Sequence, residues 1–418
     1  MANTQWGNVY ITLQSQNGYE DVYAGRLQED PSGRCVFTYD AHYLETGHLP
    51  IAYTLPLRPE PFISEQGLHP FFDNMVSEGW LKNAQSRALG IPAVNRFALL
   101  LGFGLDLPGA VFVVDPKPAP HISLHHADEA TLAALTGRAS LSGIQRKLLL
   151  VKESGQFRPV GPKEVSTHIA KLASGNLANL IELEFLTSLA VRELLPQDEV
   201  AAMEIANIPA IHESALVVTR FDRTATGQRS AHFEEFNQLL GRRAEDKYQG
   251  DYADMAQCMK AMPMPRFIEV DRLFRRILAS FLVGNTDAHF KNFALFHTDK
   301  GFKLTPAYDL VAAALYDYSS IALAVAGIND LRITKLLPKH FLLMGQQFGL
   351  PEKAIVMAVE DLGRNRSRAT DAVMRSSVGS PMLKQNLIDL MEKRWNGSFK
   401  LTGPFLLKKP KKGVVSKS

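Results

Sequence analysis

The segment GNTDAHFKNFAL, from Gly284 to Leu295, places acidic, imidazole, basic and amide side chains between two apolar stretches. The stretch before its polar residues reads ILASFLV, and the stretch after them reads FALF. A segment of ordinary core avoids such residues, because burial of an unpaired charge costs free energy. Asp287 and Asn292, which four residues separate, are therefore the first candidates for a functional site.

The composition indicates an ordinary soluble globular protein of two or three domains. The chain has 418 residues, of which 46% are hydrophobic and 21% are charged, and such a length can bury a large core without cross-links. The formal net charge of +3 gives no indication of a polyanionic partner. Two distant cysteines, Cys35 and Cys258, favour a reducing compartment and argue against a disulfide framework or a zinc ribbon.

The ends of the chain predict its location. MANTQWGNVYITLQ lacks the basic and apolar regions of a signal peptide, and no apolar stretch reaches the ~18 residues that span a bilayer. We therefore expect a cytoplasmic protein without a membrane partner. The basic tail KKPKKGVVSKS, after Leu407, is expected to be a solvated, frayed end, and an electrostatic contact with nucleic acid is the alternative.

Changes in composition divide the chain into four parts. We expect a small α/β subdomain at 1–118, a strand-rich lobe at 119–222, a mostly helical lobe at 223–400 and a flexible tail at 401–418. In the first part, HPFFDNMVSEGWLKNAQSRALG predicts a helix that ends at Gly90. The linker DPKPAPHISLHH contains a histidine cluster, for which metal binding is an alternative to a plain linker: His121, His125 and His126.

The second and third parts alternate between strand and helix patterns. RKLLLVKE, STHIAKLA and ESALVVTRFDR predict strands, and NLIELEFLTSLAVREL, with apolar residues at i, i+3, i+4 and i+7, predicts an amphipathic helix. Helices are also predicted for MAQCMKAM, for VDRLFRRILASFLVG and for the region 336–396. FALFHT and GFKLTPAYD predict a β-hairpin around DKG, which would carry Asp309 back toward Asn292.

Asp287, Asn292 and Asp309 have the residue types and the order that phosphoryl transfer needs. The spacing D-x-x-x-x-N is similar to that of the catalytic loop of protein kinases, in which the carboxylate accepts the hydroxyl proton. A neutral amide oxygen and a second carboxylate from a later strand are suitable ligands for magnesium. The spacing alone is a weak signal, because it occurs by chance in many chains.

Two upstream residues strengthen this interpretation. Lys171 lies in the predicted strand STHIAKLA and Glu184 on the following helix, which is how kinases hold the α- and β-phosphates. The alternatives are a solvent-facing strand lysine and an exposed helical acid. SLSGIQRKLLLV, from Ser140 to Val151, precedes them, and its backbone amides are suited to a phosphate-binding loop, with a plain turn as the alternative.

Together these motifs resemble the HipA-type serine/threonine kinases of bacterial toxin–antitoxin modules. The similar segments are the loop SLSGIQRK, the strand STHIAKL, the hinge LVVTRFDR, the catalytic loop GNTDAHFKNFALF and the metal-binding segment LTPAYDL. LPIAYTLPLR, FFDNMVSEG and LLLGFGLDLPGAVFV resemble the family's N-terminal subdomain. The resemblance implies a bacterial protein of α+β class. A small α/β subdomain would precede a protein-kinase-like bilobal core, with a mixed α/β N-lobe and a mostly helical C-lobe.

The resemblance assigns a role to each candidate residue. It implies that Asp287 is the catalytic acid/base, that Asn292 and Asp309 hold Mg²⁺, and that an ion pair with Glu184 supports Lys171. For His289, a nucleotide contact and a structural hydrogen bond are equal alternatives. The full set of residues implied to bind ATP is Ser142, Gly143, Ile144, Gln145, Arg146, Lys147, Lys171, Thr219, Arg220, Phe221, His289, Asn292, Tyr308 and Asp309.

The resemblance also implies a regulated toxin. Self-phosphorylation of Ser140 or Ser142 would add about −1.5 to −2 charge to the loop and repel ATP. The expected partners are a helix-turn-helix, HipB-like antitoxin, through which alone the chain would reach DNA, and a substrate. That substrate is expected to be an aminoacyl-tRNA synthetase, of the glutamate type first and the tryptophan type second, whose modification would inhibit translation and growth. A small-molecule phosphotransferase and a non-catalytic, ATP-binding partner of the antitoxin are the alternatives.

Overall fold

The protein consists of two compact units, in a computed structural model that describes residues 4–117, 128–136, 140, 145–162, 164–264 and 266–402. The first unit comprises Met1–Phe185, Ala201–Lys247 and Phe290–Pro306. The second comprises Leu186–Val200, Tyr248–His289 and Ala307–Ser418. The domain borders predicted at 118 and 222 both lie within the first unit.

A five-stranded antiparallel sheet forms the start of the first unit. Its strands are β1 (Gln5–Ser15), β2 (Gly18–Glu29), β3 (Cys35–Tyr39), β4 (Phe62–Ser64) and β5 (Val111–Val114). They are hydrogen-bonded in the order β4-β3-β2-β1-β5. Four helices accompany them: α1 (Ala41–Glu45), α2 (Pro70–Asp73), α3 (Gly79–Leu89) and α4 (Arg96–Phe103). Buried aromatic side chains, including Phe37, Phe71 and Phe72, fill the core between these elements.

The single helix predicted for residues 69–90 is wrong, because the chain forms α2 and α3 with a break between them. At the break, Asp73 Oδ2 accepts a hydrogen bond from the Ala244 amide at 2.8 Å. Asn74 Nδ2 donates to the Arg242 carbonyl, also at 2.8 Å. These distant partners hold the chain out of the helical path. The predicted helix end at Gly90 is confirmed, with φ at +65°.

A second antiparallel sheet follows in the same unit. Its strands are β6 (Lys147–Glu153), β7 (Gln156–Pro159), β8 (His168–Leu172), β9 (Met203–Ile208) and β10 (Glu213–Thr219). They lie in the order β7-β6-β8-β10-β9. Helix α5 (Glu129–Thr136) precedes this sheet, and α6 (Leu180–Leu194) follows β8 along the chain. The strands predicted from RKLLLVKE, STHIAKLA and ESALVVT are confirmed, and so is the amphipathic helix.

A third, three-stranded sheet completes the first unit. Its strands are β11 (Phe233–Glu235), β12 (Ala294–Thr298) and β13 (Gly301–Leu304), hydrogen-bonded in that order, and α7 (Phe236–Leu239) follows β11 directly. The predicted hairpin around DKG is confirmed, since Thr298 pairs with Gly301 at its closed end. This hairpin follows directly after the polar segment that contains Asn292.

The second unit is mainly helical, as the sequence predicts. Its helices are α8 (Tyr252–Ala261), α9 (Phe267–Val283), α10 (Pro338–Gln347), α11 (Glu352–Arg375) and α12 (Pro381–Arg394). Gly284 ends α9 with φ at +78°, and a Cβ there would lie 2.5 Å from a side-chain carbon of Leu390. Glycine is therefore required for the close packing at this turn. Among the residues described above, no helix has both the length and the apolar character needed to cross a membrane.

Candidate active site

Asp287 is the exposed residue of a segment that is otherwise buried. Every other residue from 276 to 291 is buried, including the polar Asn285 and Thr286 on its N-terminal side. The Asn285 backbone N–H donates a hydrogen bond to the Ser280 carbonyl at 2.8 Å. The Thr286 hydroxyl donates to the Tyr318 carbonyl at 2.7 Å. These contacts fix the backbone on which the Asp287 carboxylate reaches solvent.

Tyrosine and histidine side chains surround the Asp287 carboxylate. The Tyr248 hydroxyl donates to Asp287 Oδ1 at 2.9 Å, and the His289 ring meets the Tyr248 ring edge-on at 5.0 Å between centroids. The Tyr252 hydroxyl donates to the Ala288 carbonyl at 2.9 Å. Burial, and then the negative charge of Asp287, raise the pKa of Tyr252. Tyr252 therefore stays protonated and serves as a structural hydrogen-bond donor beneath the loop.

The two candidate metal ligands, Asn292 and Asp309, lie at the ends of short irregular segments. Asn292 closes a 3₁₀ turn in the first unit, immediately before β12, and is half-buried. Asp309 belongs to the second unit, as Asp287 does, and is also half-buried, as is its neighbour Tyr308. Its φ of +52° is unfavourable for a residue with a side chain, and such backbone strain concentrates at functional sites.

Lys171 and Glu184 are brought together in the first unit. Lys171 lies in β8, between β6 and β10, and Glu184 lies on α6. Lys171 is 4% exposed and Glu184 is 1% exposed, and the lysine Nζ donates to Glu184 Oε1. Both alternatives, a solvent-facing lysine and an exposed acid, are therefore wrong. A buried ion pair has to offset the cost of desolvation, so its presence is weak evidence for a contribution to stability.

The predicted nucleotide loop is described only at its two ends. Ser142, Gly143 and Ile144 lie outside the described residues. At the first end, the Ser140 hydroxyl is buried and lies 2.8 Å from the Ser77 hydroxyl. At the other end, Gln145 Nε2 donates to the Leu172 carbonyl at 2.9 Å.

The basic residues of that loop are held near the second sheet. The Arg146 guanidinium lies 3.6 Å from Glu213 and 3.8 Å from Asp128, which are loose ion pairs. Lys147 begins β6 and pairs directly with Lys171 across the sheet. The segment therefore runs into the strand that neighbours the buried lysine. The histidines His121, His125 and His126 and the tail after Leu407 lie outside the described part of the chain.

The predicted hinge residues have three different environments. Thr219 is exposed at the end of β10. The Arg220 guanidinium is buried and donates to Asp106 and Asp222, and its backbone N–H donates to the Thr167 carbonyl at 3.0 Å. The Phe221 ring packs against aromatic rings of the third sheet, at 5.2 Å from Phe233 and 5.5 Å from Phe296 between centroids.

A charged cluster at the catalytic loop was not predicted. Lys291, inside the loop motif, is buried, and its Nζ donates to Glu78 Oε1 at 2.7 Å and to the Asn74 carbonyl at 3.2 Å. Lys247 Nζ donates to Glu78 Oε2 at 2.8 Å, and Glu235 lies 3.6 Å from Lys291 Nζ. Burial alone would raise the pKa of Glu78, but the two ammonium groups hold it well below its usual range. A lysine between Phe290 and Phe293 is a sequence sign of a buried charge, but the partners of Lys291 are distant in sequence.

Both halves of the chain match known protein families. The family model described as the HipA N-terminal domain matches residues 18–114. The one described as the HipA-like C-terminal domain matches residues 139–369, which is more than half of the chain. The charged cluster at Lys291 therefore joins residues from both family domains, because Glu78 lies in the first and Lys291 in the second.

Curated relatives and a solved structure agree with these matches. The putative kinase Y4mE of Sinorhizobium fredii is 30% identical over 327 residues, which cover 70% of this chain and 75% of the relative. The serine/threonine-protein kinase toxin HipA of Shewanella oneidensis is 25% identical over 404 residues, which cover 87% of this chain and 89% of the relative. The solved complex of Shewanella oneidensis HipA with HipB and operator DNA matches with a TM-score of 0.70 at 21% identity, covering 94% of this chain and 99% of that one. This match confirms the predicted kinase-like fold of mixed α/β type, and the chain belongs to the HipA family.

Proposed function

We propose that this chain is an ATP-dependent serine/threonine protein kinase of the toxin type. Its relatives include proteins named as kinases, one of them a serine/threonine-protein kinase toxin. The observation that carries the proposal is the buried contact between Lys171 of β8 and Glu184 of α6. An ion pair between a strand lysine and a helix glutamate orients the lysine toward the α- and β-phosphates of ATP.

In this proposal Asp287 accepts the proton of the substrate hydroxyl. Its carboxylate is exposed, and the Tyr248 hydroxyl bonds Oδ1, so the side chain is oriented before substrate arrives. Asn292 and Asp309 offer an amide oxygen and a carboxylate, which are the hard oxygen ligands that magnesium prefers. Bound Mg²⁺ would neutralise charge on the phosphates as they transfer. The segment Ser142 to Lys147, the hinge Thr219 to Phe221, His289 and Tyr308 complete the proposed nucleotide site.

Ser140 is the proposed site of self-phosphorylation, with Ser142 as the second candidate. The Ser140 hydroxyl is buried against Ser77, where a phosphate of about −1.5 to −2 charge would be desolvated. Phosphorylation at Ser140 would therefore displace this segment from its observed position. Since the same segment leads into the nucleotide loop, the modified protein would lose ATP affinity and be switched off.

The proposed partners are an antitoxin and a translation enzyme. The solved relative was captured with HipB and operator DNA, which supports a HipB-like, helix-turn-helix antitoxin that connects this chain to DNA indirectly. We further propose an aminoacyl-tRNA synthetase as the substrate, with the glutamate type before the tryptophan type, so that its phosphorylation inhibits translation and growth. This choice rests on the family resemblance.

Phosphate transfer from labelled ATP tests the proposal. The purified chain with ATP and Mg²⁺ should label itself on Ser140 or Ser142, and Asp287→Asn should reduce the rate by about 10²- to 10⁴-fold. ATP binding and antitoxin binding should survive in the variant, because Asp287 is exposed and its removal leaves the buried loop intact. Incubation with each synthetase then identifies the substrate.

Two outcomes would support other functions. Transfer of label to a small-molecule alcohol, and none to serine, would indicate a small-molecule phosphotransferase. Bound ATP without any transfer, in protein whose intact mass shows no phosphate, would indicate a non-catalytic module that binds the antitoxin.

A further inference from the structure

A second cluster of metal-ligand side chains lies in the third sheet, apart from Asn292 and Asp309. Imidazole nitrogens of His232 and His297 and a carboxylate oxygen of Glu234 all lie within 4.8 Å of one another. The sheet creates this arrangement, because the His297 amide donates to the His232 carbonyl at 3.0 Å and Glu234 follows two residues after His232. The two imidazole rings lie 4.6 Å apart between centroids.

The hydrogen bonds in this cluster leave one carboxylate oxygen without a partner. Glu234 Oε1 accepts from the Tyr53 amide at 2.7 Å and lies 2.8 Å from His297 Nε2. His232 Nε2 lies 2.9 Å from the Ile51 carbonyl. Glu234 is fully buried, and within the described chain its Oε2 has no hydrogen-bond partner. Buried carboxylate oxygens normally accept at least one hydrogen bond, so a buried oxygen that accepts none requires an explanation.

No lysine or arginine among the described residues forms an ion pair with the buried carboxylate of Glu234, so no side-chain cation of that kind balances its negative charge.

We propose that His232, Glu234 and His297 bind a divalent transition-metal ion of the zinc class. Two neutral imidazoles and one carboxylate are a usual ligand set for Zn²⁺, and three protein ligands leave a fourth position for water. The His232 Nε2–H bond to the Ile51 carbonyl is the outer hydrogen bond that metal-binding histidines make. His232 Nδ1 accepts a long hydrogen bond from the Ala110 amide at 3.4 Å, and we expect the ion to take the place of that bond.

The proposed ion would lie where the two family domains are in contact. Ile51 and Tyr53, whose backbones contact the cluster, lie in the HipA N-terminal domain, and the three ligands lie in the C-terminal domain. Both segments belong to the first compact unit. Metal binding to the folded protein but not to the unfolded chain raises stability. The role is structural and does not depend on the proposed kinase activity.

Cobalt absorbance tests this site directly. Full-length protein without a histidine tag is stripped with a chelator and titrated with Co²⁺ in excess Mg²⁺. We expect one Co²⁺ per chain, with the visible bands of a low-symmetry nitrogen and oxygen site that Zn²⁺ abolishes. His297→Leu and Glu234→Gln should each weaken the affinity by at least about a hundredfold, more than loss of an outer hydrogen bond costs. Zn²⁺ should raise the thermal midpoint of the wild-type protein and not that of these variants.

Two controls locate the ion. Asp309→Asn removes a candidate magnesium ligand and should leave the cobalt bands unchanged. The triple variant His121→Ala, His125→Ala, His126→Ala removes the linker histidines and should also leave them unchanged. X-ray absorption spectroscopy of the wild-type cobalt complex should show two imidazole ligands. Because this measurement uses wild-type protein, it tests the site even if a variant fails to fold. Absence of a stoichiometric cobalt signal, or bands that persist in His297→Leu, would overturn the proposal.

Discussion

At the scale of single residues, the position of the exposed Asp287 carboxylate depends on the buried residues on either side of it. Residues on both sides are buried, and their hydrogen bonds hold the loop in one conformation. Tyr248 then adds a direct bond to Oδ1 from a side chain that is itself partly exposed. A catalytic group gains most from such support when its geometry is set before the substrate binds.

Tyr248→Phe should lower kcat for phosphate transfer about tenfold and leave KM for ATP unchanged. The lost hydrogen bond to a charged group is worth ~1.5–3 kcal/mol, and about 1.4 kcal/mol of lost orientation corresponds to a factor of ten in rate. Steady-state transfer from labelled ATP measures both constants. Tyr318→Phe is the matched control, since the Tyr318 side chain is 58% exposed and only its carbonyl contacts the loop. Equal losses in the two variants would refute a specific role for Tyr248.

At the scale of elements, the break between α2 and α3 provides hydrogen-bond partners for the proposed catalytic loop. It places the Asn74 carbonyl and the Glu78 carboxylate at Lys291 Nζ, one residue before Asn292. Lys247 Nζ donates to the other oxygen of the same carboxylate. An unbroken helix would have used the Asn74 carbonyl for its own hydrogen bonding. The N-terminal family domain therefore contributes directly to the position of the loop.

Glu78→Gln should reduce both activity and stability. The change leaves Lys291 and Lys247 with a neutral acceptor, at a cost of about 3 kcal/mol for breaking a buried pair. The depressed pKa of Glu78 contributes stability that is fully present above the unfolded pKa of about 4.3 and is lost as the pH falls from there toward the lower folded pKa, so the difference from wild type should shrink below pH 4.3. Urea unfolding at about pH 7 and about pH 3, on either side of that unfolded pKa, measures the difference. Transfer assays should show kcat reduced about tenfold or more through displacement of Asn292.

Glu65→Gln is the control for that change, because Glu65 is an exposed glutamate of the same domain. It should match wild type in both assays. Loss of stability in Glu78→Gln with full kcat at a temperature where the variant is folded would show that the cluster stabilises the protein without positioning the loop.

The sequence predicted those elements whose pattern is local. Strand β8, helix α6 and the β12–β13 hairpin were predictable because apolar periodicity and turn residues lie within each segment. The α2–α3 break was not, because it depends on backbone partners about 170 residues away, such as Arg242 for Asn74. The same limit applies to Glu78 and Lys291, since 213 positions separate them and neither residue type indicates its partner.

At the scale of the whole molecule, a buried network of four charges joins the two family domains. Asp106, in the N-terminal domain, accepts from Arg220 at 3.0 Å and from Arg223 at 2.8 Å. Asp222 accepts from the same two arginines, each at 2.8 Å. The two negative and the two positive charges cancel, so the network has no net charge although all four residues are buried. These hydrogen bonds connect the predicted hinge residues to the N-terminal family domain.

Asp106→Asn should destabilise the first unit by about 3–5 kcal/mol, the cost of removing one member of a buried ionic network. Burial alone would raise the pKa of Asp106, but Arg220 and then Arg223 hold it well below its usual range. Its contribution is therefore present above the unfolded pKa of about 3.9 and is lost as the pH falls. Urea unfolding at pH 7 should show the full loss, and the difference from wild type should decrease toward pH 3.

Asp299→Asn, at an exposed acid in the turn of the β12–β13 hairpin, is the matched control and should leave stability unchanged. If the network couples the two family domains, the Asp106→Asn variant should also allow one domain to unfold before the other. Hydrogen exchange would then show faster opening of β1 to β5 than of β6 to β10, whereas wild-type protein should open both sheets together. Retained co-operative opening in a destabilised Asp106→Asn would mean that packing between the domains, and not the charge network, couples them.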